Sequence, residues 1–103
     1  MATISNIDLG ASATLTANTV DTIEILAGRA SRVVVVTNLH ATGIMAISHG
    51  LKGTAAAPTV NGDFNYLGPY QSMPIETGGA ALDVKLISAT ACPYLLNVQT
   101  YLT

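Results

Sequence analysis

Charged side chains are scarce in this chain of 103 residues: Asp, Glu, Lys and Arg together make up 10% of it. An ordinary soluble domain carries about 25%. The only basic residues are Arg29, Arg32, Lys52 and Lys85, outnumbered by six carboxylates, and the net charge is −2. Nucleic-acid affinity comes from several Lys or Arg neutralising phosphates, so this balance argues against a nucleic-acid partner. No basic amphipathic stretch offers a membrane-surface helix, and no apolar run reaches the roughly 18 residues of a transmembrane helix. The first residues, Met1-Ala2-Thr3-Ile4-Ser5-Asn6-Ile7-Asp8, lack the basic start and apolar run of a secretory signal. The expectation is synthesis in a reducing cytoplasm.

Cysteine, histidine and aromatic side chains are equally sparse. One cysteine, Cys92, cannot close an internal disulfide. His40 and His49 are the only histidines, too few with one cysteine for a zinc site of three or four ligands. His40 reads as a polar turn residue. Ser48 and His49 are strand neighbours on opposite faces, so they do not form a nucleophile–base pair. Asn61-Gly62-Asp63 has one carboxylate where a calcium loop needs several oxygens at alternate positions. Gly50-Leu51-Lys52-Gly53-Thr54 lacks the order of a phosphate-binding loop. There is no tryptophan, which weakens a sugar-stacking platform. The expectation is no enzyme and no cofactor.

What is abundant is apolar and β-branched. Hydrophobic residues make up 50% of the chain and the mean hydropathy is +0.47. With so few charges to coat it, the exterior points to a subunit whose sides are covered in an assembly. The dominant period is two. Thr22-Ile23-Glu24-Ile25 alternates, and Val33-Val34-Val35-Val36 is apolar on both faces, as a central strand is. Residues 43–48 form another strand, joined to it by a connection over 38–43 that reads as a hairpin. Phe64-Asn65-Tyr66-Leu67 is a short strand. Gln71-Ser72-Met73-Pro74-Ile75-Glu76 is an edge strand, because Pro74 cannot donate to a ladder. Leu82, Val84 and Leu86 point inward with Asp83 and Lys85 outward, and residues 94–101 close the fold. The remaining carboxylates read as solvated outer-face groups.

That pattern predicts an all-β chain: a single antiparallel β-sandwich or jelly-roll-like domain of about seven or eight strands. Its core holds Ile23, Ile25, Val34, Val36, Ile44, Leu82, Val84, Leu86, Leu96 and Val98. Residues 1–18 are an N-terminal arm or a first strand, and residues 19–103 are the sandwich. Residues 50–63, with three Gly, a Pro and an Asn-Gly turn, form a long loop suited to contact. Apolar residues in weakly structured segments mark the expected protein interface: Ile4, Ile7 and Leu9 in the arm, and Leu51 and Phe64 about the loop.

Residues 58–101 carry a resemblance. Pro58-Thr59-Val60-Asn61-Gly62-Asp63, Tyr66 with Gly68-Pro69, Val84-Lys85-Leu86-Ile87-Ser88-Ala89 and Tyr94 ahead of Val98, with Val36-Thr37-Asn38 before them, resemble small structural proteins of tailed phages. Within that group the sequence is most similar to capsid decoration, or cement, proteins. The resemblance implies a virion subunit assembled in the host cytoplasm, a homo-oligomer such as a trimer, and the major capsid protein or another virion subunit as partner. The alternatives are a head–tail adaptor, tail or fibre-base component, or a lectin-like ligand-binding sandwich.

Overall fold

The computed structural model describes residues 3–7, 10–28 and 31–100. It is all-β. The strands are β1 Thr3–Ile7, β2 Gly10–Thr14, β3 Asp21–Ile25, β4 Arg32–Asn38, β5 Met45–Leu51, β6 Asn65–Leu67, β7 Ser72–Thr77, β8 Leu82–Ser88 and β9 Pro93–Thr100. They form a five-stranded sheet, β1-β3-β8-β5-β6, and a four-stranded sheet, β2-β9-β4-β7. Nine strands are found among the described residues where seven or eight are expected, because the described part of residues 1–18 supplies two, one to each sheet.

Burial follows the period-two pattern. In β3 and β4 alternate residues are buried, and Ile23, Ile25, Val34 and Val36 meet Leu82, Val84, Leu86, Leu96 and Val98 between the sheets. The β-branched side chains of β4 suit this pleated surface because their χ1 freedom is already restricted. β4 is internal to its sheet and β7 is an edge, as Pro74 requires. Ile44 is a correction to the expected core. It is 56% exposed, because the strand begins at Met45 and the inward positions are Met45 and Ile47.

A second correction concerns connectivity. Residues 38–43 are not a hairpin: β4 and β5 belong to different sheets, and the connection steps from one layer to the other. Consecutive strands likewise lie in different sheets at β1 and β2, β2 and β3, β3 and β4, β6 and β7, β7 and β8, and β8 and β9. Among the described residues all strand pairs are antiparallel save one. β1 runs parallel to β3, because β2 lies in the opposite sheet between them.

Two carboxylates expected in solvent are buried instead. Asp21 is 2% exposed and accepts a hydrogen bond from the Tyr94 hydroxyl across the sandwich at 3.1 Å. Asp83 is on the outer face of β8, but the start of the 52–64 loop folds over it and the Gly53 N–H donates to its Oδ2 at 3.0 Å. Burial pushes the Tyr94 phenol well above the usual tyrosine range, and the charge of Asp21 and its hydrogen bond push it further. The unfolded phenol ionises near pH 10 while the folded one keeps its proton. Stability is therefore expected to fall above that pH, by up to about 1.4 kcal/mol per unit from this group. Tyr94→Phe should remove this slope. At neutral pH the same variant should lose about 1–3 kcal/mol, because Asp21 loses a donor. Urea unfolding of both proteins at neutral and alkaline pH measures the two effects.

Candidate docking end

The antiparallel registers place the β2–β3, β4–β5, β6–β7 and β8–β9 connections at one end of the sandwich. Asn38 lies opposite Tyr94, Thr37 opposite Ser72, Thr14 opposite Pro93, and Met45 opposite both Leu67 and Ser88. These connections are residues 15–20, 39–44, 68–71 and 89–92, and none contains Asp, Glu, Lys or Arg. Asp21, the first residue after the β2–β3 connection, is turned inward to Tyr94. The 52–64 connection at the opposite end carries Lys52 and Asp63.

The same end is tipped with apolar side chains. Seven large hydrophobic residues are exposed among the described residues, and five belong here. Leu39, Ile44 and Tyr70 lie in the connections, and Tyr66 and Leu95 lie on the adjoining strands. Exposed apolar groups set among charge-free segments share the composition of protein-contact surfaces in general.

The connections are held rigidly, and Asn38 is central to that. Its side chain is fully buried. Nδ2 donates to the carbonyls of Gly43 at 2.8 Å, Gly68 at 3.1 Å and Leu67 at 3.2 Å, while Oδ1 accepts from the His40 N–H at 2.9 Å. His40 acts as the polar turn residue expected: Nδ1 accepts the N–H groups of Gly43 at 2.7 Å and Thr42 at 3.0 Å. Gly43 has no space for a side chain, since a Cβ there would lie 2.6 Å from the Cys92 Sγ. Cys92 is buried and lies 3.2 Å from the Ser88 hydroxyl.

The β6–β7 connection is a tight turn, with the Gln71 N–H donating to the Gly68 carbonyl at 3.1 Å. Pro69 sits second and Tyr70 third. Tyr70 has φ of 57° and is 66% exposed. A turn with proline second and a positive φ third normally has Gly or Asn in that third place.

On the outer face of the five-stranded sheet is an open cleft of about 640 Å³. Ala46 and Ile87 form its floor, and Ile44, Val60, Tyr66 and Ala89 stand around it. The Tyr66 hydroxyl donates to the Gly62 and Val60 carbonyls and so ties the long loop to this wall.

The five residues singled out from sequence are not gathered at this end. Ile4 is half-buried and packs on the core. The backbone of Ile7 pairs with Ile25, while its side chain and all of Leu9 lie outside the described residues. Leu51 is 61% exposed at the far end of β5. Phe64 is half-buried against Gly62 in the long loop. Leu39, Ile44, Tyr66, Tyr70 and Leu95 were absent from the sequence-based interface. The absence of charge in four connections was readable, but their shared position needs the topology. Among the described residues no three His, Cys, Asp or Glu side chains come together as metal ligands.

No protein-family model matches the chain, and no curated protein matches its sequence. The fold does have a counterpart among solved structures. The pre-peptidase C-terminal domain of a collagenase from Bacillus anthracis superposes with a TM-score of 0.57 at 14% sequence identity. The likeness covers 96% of this chain and 95% of that one. The two chains share a β-sandwich fold.

Proposed function

We propose that this domain is a non-catalytic structural subunit that docks against other protein subunits through its uncharged end. The observation that carries this reading is the coincidence at one end of four charge-free connections and five exposed large apolar side chains. Burying such a surface removes apolar area from water without desolvating any charge. In its specific form the reading is a capsid decoration subunit on a tailed-phage head, with the major capsid protein or another virion subunit as partner. The phage-like segments of residues 58–101 support that form. Leu51, exposed at the opposite end, is a second contact point for a subunit held between neighbours.

Leu39→Lys with Ile44→Lys tests the docking end. Both positions are exposed, so folding stability should change by no more than about 0.5 kcal/mol per site. Incorporation into particles should fall about tenfold or more, since two charges would have to be desolvated in the contact. Particles are purified from cells making each form, and the protein is quantified per particle. Undiminished incorporation of a folded variant overturns the reading.

A lectin-like or accessory ligand-binding module is the second reading, and the open cleft favours it. That reading expects a small ligand to perturb Tyr66 and Ile87 in a monomeric protein.

A further inference from the structure

We infer that the uncharged end binds a second copy of this chain, with Tyr70 of one copy entering the cleft between Ile44 and Tyr66 of the next. The inference rests on the reading of this end as a docking surface and names its occupant.

Tyr70 gives the first reason. A bulky residue with positive φ is an outlier, because its Cβ crowds the backbone in a way that glycine avoids. The isolated fold gains little in return. The ring is 66% exposed. Strain that holds an exposed aromatic side chain at the tip of a rigid turn is characteristic of a binding anchor. The Gln71 Oε1 accepts the Gly68 N–H at 2.7 Å and fixes the turn that presents it.

The cleft supplies the matching half. It lies at the same end, its lining residues bear no charge, and its volume of about 640 Å³ admits an aromatic ring. Knob and cleft are thus present on one molecule. Two copies meeting here bring no Asp, Glu, Lys or Arg of the four connections into opposition. Those connections with the adjoining strand ends also supply about the 20–30 residues that a standard interface uses on each side. The knob is in the β6–β7 turn, and the floor of the cleft is on β5 and β8. Each copy presents both halves, so the contact closes a two-fold dimer where it is made reciprocally and runs on into a ring or a chain where it is not.

Light scattering on the purified protein tests this with two single variants and their mixture. Wild type should run at a multiple of 10.6 kDa. Tyr70→Gly keeps the turn, because glycine accepts the positive φ. It should be monomeric, with self-association weakened roughly thirtyfold or more and a thermal midpoint no lower than that of the wild-type protein under dissociating conditions. Ala89→Glu, at an exposed position on the cleft wall, should also be monomeric. Mixed together, the two variants retain one intact knob and one intact cleft between them and should form dimers. A monomeric wild type, an oligomer that survives Tyr70→Gly, or a mixture that stays monomeric overturns the inference. If any of these occurs while Leu39→Lys with Ile44→Lys still abolishes particle incorporation, the docking surface stands and only its occupant is wrong. If incorporation survives that pair, the docking reading falls separately.

Discussion

Replacing Asn38 with Ala is expected to cost about 3–5 kcal/mol, although Asn38 is the last residue of its strand. The side chain is fully buried and makes hydrogen bonds to Gly43, Leu67, Gly68 and His40. Those groups belong to the β4–β5 connection and to the end of β6 with its turn. Alanine leaves three carbonyls and one N–H without that partner. Each such group left unsatisfied in the interior costs about 1–3 kcal/mol, reduced where water can reach it. A domain of this size has a total stability of about 5–15 kcal/mol, so the variant should be visibly compromised. Its thermal midpoint should drop by roughly 12 °C or more. A loss below about 1 kcal/mol in urea unfolding would mean that the connections at this end hold their shape without Asn38.

Leu86→Ala is the second large effect, at about 2–5 kcal/mol. Leu86 is fully buried on β8, which lies between β3 and β5. Truncation there loses the transfer free energy of the removed carbons and leaves a cavity that the two sheets cannot collapse to fill. Ile44→Ala provides the contrast. The sequence pattern places both residues in the core, yet Ile44 is 56% exposed. Its truncation should change stability by no more than about 0.5 kcal/mol. Equal losses in the two variants, measured by chemical unfolding, would contradict the assigned start of β5 at Met45.

The difference between those two residues shows what is legible in this sequence. Alternation over Thr22–Ile25 and Leu82–Leu86 identifies the inward faces correctly, although the outer face of β8 is covered as well, with Asp83 and Ile87 buried. It does not locate where a strand begins, and Ile44 next to Met45 falls on the wrong side of that boundary. Pairing between distant segments is also invisible to a local pattern. The 38–43 connection has hairpin residues, but β5 pairs with β8 and β6 instead of with β4.

The candidate docking end is hidden from a local reading for the same reason. Each of its four connections is short and carries one or two large apolar residues at most, so none stands out by itself. Only the sheet order brings them together. Leu51 and Phe64 were legible as apolar residues in a loop-rich stretch, yet the loop beside them folds back to bury Asp83 and to wall the cleft. Gly68-Pro69 ahead of Tyr70 marks a break in the strand pattern. The positive φ of Tyr70 is not legible there, because turn preferences place Gly or Asn in that position.

The central claim is that the end formed by residues 15–20, 39–44, 68–71 and 89–92 faces protein in the working assembly. Cryo-electron microscopy of the particle that incorporates the protein tests it most directly. The account expects Leu39, Ile44 and Tyr70 to be covered by neighbouring subunits, with Tyr70 in the cleft of an adjacent copy. A reconstruction in which those three side chains face solvent, and the domain attaches by other surfaces, would contradict it.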